Sequence, residues 1–476
     1  MSDIIKIKKG LDIPLPGAAV DELVDVRDVQ CCAVCPTDYV GFTPRLLVQE
    51  GDSVKAGDPL LCDKKDERQR LLSPVSGTVK AIVRGERRQI LAVVVERGLK
   101  GSLRLKVEGF ASLEGSNPQT HKPTNPQTLK FSILNSQFPI LPFILQRPFG
   151  TMASPDVKPK ALFVSCCDSA PLAARCDITL RGREEEFCRG LEALGELVAP
   201  APVHVSYNEQ SIIGRLLADF ENRGLVKLHV VRGPHPSGNV GTQIAAIDPI
   251  NKGEVVWTVD PQDVANIGRL ALTGCYAPER VVAVCGPAAQ HPRYYRTVAG
   301  TCVAPLLEGQ IDAAEPQPRV IAGNVLTGVQ VAADGFLHAH TNELTLLPEG
   351  DYYDFLGWLL LGLHKYSFSR TFLSGFGSKR KSKQKPALAP EFDTQRHGDV
   401  RPLVFGEVFD RVFPFDIYPM ELIKAAVIGD IERLEQLGIY EIEPEDMALC
   451  EFVDPSKTEI QTLIRTALEL CRKEGM

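Results

Sequence analysis

Cys31, Cys32 and Cys35 stand together in "CCAVC" near the start of the chain. Thiols at that spacing raise structural zinc and iron–sulfur clusters, which usually take four soft ligands, often as two close pairs or a C-x-x-C-x-x-C run. No second such group follows. Cys166 and Cys167 are adjacent, and Cys62, Cys176, Cys188, Cys275, Cys285, Cys302, Cys450 and Cys471 are scattered. Cysteine is also among the most often buried residue types, so packed or idle thiols are expected and no metal. His338 and His340 in "HAH" fall on one side of an extended strand, with no third ligand nearby in sequence. Arg232 and His235 lie in "RGPHPSGNVG", after a strand-like run, where α/β proteins place functional loops. A guanidinium and an imidazole there suit an anion or a quinone head group, and a structural turn fits equally.

Lys64 and Lys65 raise a different chemistry, covalent attachment of a swinging arm. "VQEGDSVKAGDPLL" and "SPVSGTV" around them resemble the two halves of biotinyl/lipoyl domains. In those carriers the modified lysine sits at a hairpin tip about ten residues beyond the second glycine. Here Lys64 is seven and Lys65 eight residues beyond Gly57, among the charged neighbours of "KKDERQR". The shortened arm predicts a hammerhead kept as a docking module, without lipoate or biotin.

The elements that carry these groups divide the 476 residues into several expected domains, because so long a chain exceeds a single core. Short β-branched runs between Gly, Pro and Asp turns predict a biotinyl/lipoyl-like β domain over 1–105. A linker and helical segment is expected over 106–155, polar at first ("EGSNPQTHKPTNPQT"). Over 156–296, strand-like "KALFVS", "APVHVSY", "VKLHVVRG" and "ERVVAVCG" alternate with helical "EEEFCRGLEALGELV", "QSIIGRLLADFENR" and "PQDVANIGRLALTG". Such alternation predicts a Rossmann-like α/β domain. A β-grasp-like module follows over 297–350, then a connecting segment over 351–415 with a basic loop. A C-terminal helical domain over 416–476 completes the chain. In it, Pro419 and Pro455 suit first-turn positions, with Asp416 and Asp454 as caps.

Composition narrows the function. A formal charge of −7 gives no whole-chain basic field, so nucleic acid is not the expected partner. The start of the chain lacks the apolar core of a secretory signal. The most apolar span, Phe131 to Phe149, is broken by Pro139 and Pro142 and is rejected as a membrane helix. Thirteen cysteines without a signal suggest a reducing compartment, and membrane contact is expected to be indirect, through partners. Lys379, Arg380, Lys381, Lys383 and Lys385 form a basic run; such runs are usually solvated, and beside a membrane they meet anionic lipid. After "KALFVS" comes "CCDSAPLAARCD", with no G-x-G-x-x-G to cradle a pyrophosphate. A Rossmann-like fold without its cofactor is the expectation.

Several strings occur in order over nearly the whole chain: "IKKGLDIPLPG", "SPVSGTVKAIVRGERR", "QRPFG", "GPHPSGNVGTQI", "VWTVDPQDVANIGRL", "YYRTVAGT", "RVIAGNVLTG", "FLSGF" and "EPEDMALCEFVDPSKTEI". On them the sequence resembles the NqrA family of the sodium-translocating NADH:quinone reductases, the Nqr complexes. The resemblance implies a peripheral subunit on the cytoplasmic side of the bacterial inner membrane. It implies five partner subunits, NqrB above all, in a translocase of the respiratory chain that oxidises NADH, reduces ubiquinone and exports Na+. It further implies that NAD, FAD, FMN, riboflavin and iron–sulfur centres belong to the other subunits and that this chain holds no cofactor and no catalytic residue. A quinone contact is expected at Arg232 and His235 and at Arg147 and Phe149 of "QRPFG". Asp454 replaces a cysteine that is frequent in the family. The alternatives from the residues alone are a free-standing lipoyl/biotinyl-type carrier and a soluble Rossmann oxidoreductase.

Overall fold

The structure is a computed structural model that describes residues 3–98, 140–312, 317–352, most of 355–374, 391–404 and 406–474. The expected polar linker and the basic run at 379–385 lie outside the described residues.

The first two strands, β1 (Asp3–Lys6) and β2 (Leu23–Asp25), pair with strands far along the chain. Seven more follow: β3 (Cys31–Val34), β4 (Pro44–Leu46), β5 (Ser53–Val54), β6 (Pro59–Asp63), β7 (Arg70–Leu72), β8 (Gly77–Arg84) and β9 (Ile90–Arg97). They form a four-stranded sheet, β3-β9-β8-β5, and a three-stranded sheet, β4-β6-β7. Inward-facing residues of both sheets, among them Leu60, Leu61, Leu71, Val79, Val93 and Val95, close one apolar core. Cys32 packs into it with no exposed surface.

Strands β10 (Ile144–Arg147) and β11 (Thr151–Met152) occupy the described part of the segment expected to be linker and helix. β10 pairs antiparallel with β15 (Val256–Val259), Ile144 opposite Val259. Ile144 is fully buried in the α/β core, so tertiary burial overrides the reading of this proline-flanked run as a connector. With β12 (Leu162–Cys166), β13 (Val203–Asn208) and β14 (Lys227–Arg232) they complete a seven-stranded sheet, β1-β14-β13-β12-β15-β10-β11. β1, β14, β13, β12 and β15 run parallel. The order β14-β13-β12-β15 reverses direction of travel at β12/β15, the topological switch point of doubly wound sheets.

Two helices on this sheet cross at backbone contact distance. In α1 (Glu184–Val198) a Cβ on Gly190 would meet the carbonyl oxygen of Val264, and one on Gly268 would meet that of Glu186. Helix α2 (Val240–Ile247) follows β14. Helix α3 (Pro261–Thr273) follows β15; Asp260 caps it by accepting from the Gln262 amide at 2.8 Å, Pro261 is its first residue, and Gly274 ends it with φ 68°.

The strand at Glu279–Cys285, β16, expected to end the α/β domain, instead pairs antiparallel with β17 (Arg293–Val298) and parallel with β20 (Glu343–Leu347). With β18 (Arg319–Ala322), β19 (Val329–Gln330) and β2 they make a six-stranded sheet, β19-β18-β20-β16-β17-β2. A buried seven-residue strand reads the same in either sheet, so its sequence does not choose the partner.

The C-terminal unit holds α4 (Pro419–Ile428), α5 (Ile431–Gln436), α6 (Ala448–Val453) and α7 (Ile460–Glu474). They bury Leu422, Leu434, Ile464 and Leu468 against Phe409, Phe413 and Phe415. Pro419 does open α4, but Tyr418, not Asp416, is at its cap position. Pro455 lies after α6 rather than in a first turn. Asp454 accepts from the Ser456 and Thr458 amides, each at 2.9 Å, and so shapes the turn leading towards α7.

Candidate functional site

The switch point opens into a cleft with a cavity volume of about 260 Å³. Its floor comes from the ends of β12 and β15: Ser165 to Asp168 on one side and Thr258 to Gln262 on the other. The loop after β14 supplies His235, Gly238 and Asn239. The six-stranded unit adds Asn324, Thr327, His340 and Asn342, and the C-terminal unit adds Glu445. Three parts of the chain therefore meet over one crevice, and among the described residues no lysine or arginine lines it.

Hydrogen bonds fix the walls. Asp260 accepts from Asn342 at 2.7 Å and from Arg280 at 3.0 Å, while Arg280 also reaches Asp263 at 2.7 Å. The cap of α3 thus doubles as a fastening to the six-stranded sheet. His235 is 4% exposed, and burial depresses its imidazole to about 4, so the ring is neutral at pH 7. Its Nδ1 lies 3.1 Å from Ser169 Oγ, which accepts from the Gly238 amide at 2.7 Å. The neutral ring and the hydroxyl therefore share one hydrogen bond that fixes the orientation of the imidazole. The His235 amide donates to Asp12 Oδ1 at 2.9 Å, so the N-terminal segment holds this loop.

Carboxyl groups give the cleft its electrostatics. Asp168 opens onto it, and the surrounding protein raises this acid above the usual range. Behind Asp168, Glu343 is 4% exposed, and burial with Asp168 nearby pushes it up to about 8. Burial holds the thiols of Cys166 and Cys167 protonated, the latter pushed up to about 12. The lining accordingly offers neutral donors, from amides, an imidazole and thiols, beside the carboxyl groups of Asp168, Asp260 and Glu445. Such a surface suits a neutral ligand with carbonyl oxygens and disfavours phosphates.

The four residues expected to meet a quinone are in different places. His235 lines the cleft. Arg232 is 43% exposed at its side chain and pairs with Glu209 at 2.5 Å, away from the lining residues. Arg147 is buried at 3% and binds Asp446 at 3.1 Å, Glu445, and Glu443 at 3.7 Å. Phe149 meets Tyr440 edge to face at 6.0 Å, and its carbonyl accepts from Arg465 at 2.9 Å. Arg147 and Phe149 therefore stand in the seam between the seven-stranded sheet and the C-terminal helices. Arg147 reaches the cleft only through Glu445. Asp168, Asp260, Asn342 and Glu445 were not singled out from sequence; the acidic residue closing a β-strand at Asp260 was the one local signal available.

Other sequence candidates disperse. His338 pairs with Asp38 at 2.5 Å and His340 with Asp263 at 3.4 Å, so the two rings serve different contacts. Among the described residues no group of three or more His, Cys, Asp or Glu is placed to hold a metal ion. Lys64 and Lys65 are in the turn after β6, both exposed. That turn is tied down: Arg68 binds Asp66 at 2.8 Å and donates through Nη1 to Asp156 at 2.8 Å.

Fold and cleft define a multidomain α/β protein of mixed sheets with an N-terminal barrel-sandwich domain. Three family descriptions match in order: the NqrA N-terminal barrel-sandwich hybrid domain over 5–98, the NqrA second alpha/beta domain over 133–276 and the NQRA C-terminal domain over 281–333. The NqrA chain of the Na(+)-translocating NADH-quinone reductase of Rhodopirellula baltica is 34% identical over 99% of both chains. That of Hahella chejuensis is 34% identical over 99% of this chain and all of its own, and that of Haemophilus influenzae 33% over the same shares. The chain belongs to the NqrA family of the Na(+)-translocating NADH-quinone reductases.

Proposed function

We propose that the chain works as a peripheral subunit of a complex that oxidises NADH, reduces ubiquinone to ubiquinol and exports Na+. The observation that carries this reading is the full-length correspondence to the NqrA chains of such reductases. No helix among the described residues is long and apolar enough to cross a membrane, which suits a peripheral place. The chain sits on the cytoplasmic side of the bacterial inner membrane and docks on the five other subunits, NqrB in particular. NAD, FAD, FMN, riboflavin and iron–sulfur centres are carried by those partners, and this chain holds none. The barrel-sandwich domain is a docking module whose lysines remain unmodified.

Within this role the cleft takes the quinone head group. A quinone presents two carbonyl acceptors on a flat ring; the lining supplies neutral donors and the ring of Phe143. His235 makes the direct contact. Arg147 and Phe149 act one step away, by holding the helical unit that presents Glu445.

The test is affinity purification of the tagged chain from detergent-solubilised membranes of its native host. Partners are identified by mass spectrometry and NADH-driven ubiquinone reduction is assayed. Recovery of five further subunits with activity is expected; recovery of the chain alone, in the soluble fraction, would overturn the reading.

A further inference from the structure

One stretch of surface departs from the rest of the molecule. Phe355 is 87% exposed, Leu359 64%, Leu360 55% and Leu361 62%, with Leu356 and Leu363 also open. Six large apolar side chains within nine residues face water, whereas isolated exposed leucines are ordinary and contiguous groups mark interaction sites.

The loop is built at its base and bare at its tip. The Leu373 amide donates to the Leu361 carbonyl at 3.0 Å, and Ser374 Oγ to that of Lys365 at 2.5 Å. Just beyond, Tyr366 packs on Phe392 at 5.4 Å and on Phe452 at 5.7 Å, and Phe368 lies against the C-terminal core. The aromatic half of the segment is therefore anchored on the helical unit. The leucine half stays open to water, although the same core lies a few residues away.

Charge indicates what covers it. From Phe355 to Pro390 the sequence holds seven Lys and Arg residues and neither Asp nor Glu, in a chain of net charge −7. Apolar side chains followed by an acid-free basic stretch, with Trp358 in the apolar part, have the composition of segments that lie in the interface of an anionic bilayer. A protein partner needs no such one-signed excess.

We infer that Phe355–Leu363 is a direct membrane-contact loop, its apolar tip entering the headgroup region of an anionic lipid bilayer. Membrane contact is then not only indirect, through the other subunits. The inference does not depend on the complex: failure to co-purify partners would leave it standing, and vesicle experiments test it alone.

The full-length chain is mixed with vesicles of phosphatidylglycerol and phosphatidylethanolamine, or of phosphatidylcholine alone, and sedimented. Binding about tenfold stronger to the anionic vesicles and weakened by salt is expected. The combined Leu359→Ser, Leu360→Ser and Leu361→Ser variant should retain its circular dichroism and lose most of this binding. Tryptophan emission of the unaltered chain gives a second readout. Trp257 is 4% exposed, so a blue shift on anionic vesicles, quenched by brominated lipid, reports Trp358. No binding to anionic vesicles, unchanged binding of the triple variant, or no blue shift would each overturn the inference. So would self-association through the loop, seen as a dimer in sedimentation velocity that the variant abolishes, without vesicle binding.

Discussion

Arg147 on β10 and Asp446 before α6 lie 299 residues apart in sequence and share a buried ion pair at 3.1 Å, neither side chain more than 3% exposed. Asp446 also accepts from the Glu443 amide at 3.0 Å, within a capping box that starts the turn at Pro444. One guanidinium therefore fixes both the local turn and the placement of the helical unit against the seven-stranded sheet.

Arg147→Met should destabilise the chain by about 3 kcal/mol or more at pH 7.5, since it leaves buried carboxylates without their cation. Part of the loss should return as pH falls, because burial already raises Glu443 and loss of the Arg147 charge raises it further. Arg232→Met removes an exposed pair and should cost less than about 1 kcal/mol. Urea denaturation of the two variants checks both statements; equal losses would refute the assignment of Arg147 to the seam.

Glu343 gives the fold a pH dependence of definite sign. Its folded value, about 8, exceeds the 4.5 of an ordinary glutamate, so between the two the folded state holds a proton that the unfolded state has released. Stability from this group is complete below about 4.5 and declines as pH rises towards 8. Glu343→Gln keeps the shape without the titration. Thermal melts from about pH 5 to about pH 9 should show a wild-type decline that the variant flattens, with the variant the more stable at the alkaline end. Parallel curves would sink the argument.

His235 and Arg232 separate a cleft role from a surface role. In the assembled reductase, His235→Ala should raise the KM for a short-chain ubiquinone about tenfold, the loss of a hydrogen bond to a buried site. Arg232→Ala should leave it within about twofold, because its partner Glu209 is exposed. A reversed order would move quinone contact out of the cleft.

Intact mass of the purified chain should equal the sequence mass, with no lipoyl or biotinyl increment. Lys64→Arg with Lys65→Arg should leave assembly and turnover unchanged. The physical ground is the spacing: Lys64 and Lys65 follow Gly57 by only seven and eight residues, among the charged neighbours of "KKDERQR". A large loss of turnover in an assembled complex would contradict it.

Local signals in the sequence were those with a fixed period or a fixed turn. The two halves around Gly57 and Gly77 mark the barrel-sandwich, and "PQDVANIGRLALTG" marks a helix that forms over Pro261–Thr273. What escaped is pairing at long range. β16 carries no mark of which sheet it joins, and the cleft unites Asp168, Asp260, Asn342 and Glu445 from four distant segments. Arg147 and Phe149 stand as quinone candidates through the resemblance of "QRPFG", an arginine beside an aromatic residue. The same pair of properties suits a domain seam, and only packing distinguishes the two.

β1 pairs with residues 229–232 and β2 with residues 294–296, each at the edge of its sheet. During synthesis these two strands emerge ahead of the barrel-sandwich, yet their partners appear only a couple of hundred residues later. Vectorial synthesis cannot finish the domains in order: the barrel-sandwich closes early, while β1 and β2 wait to seal two later sheets. An affinity tag ahead of Asp3 burdens an edge strand that closes late, and one after α7 leaves that step free.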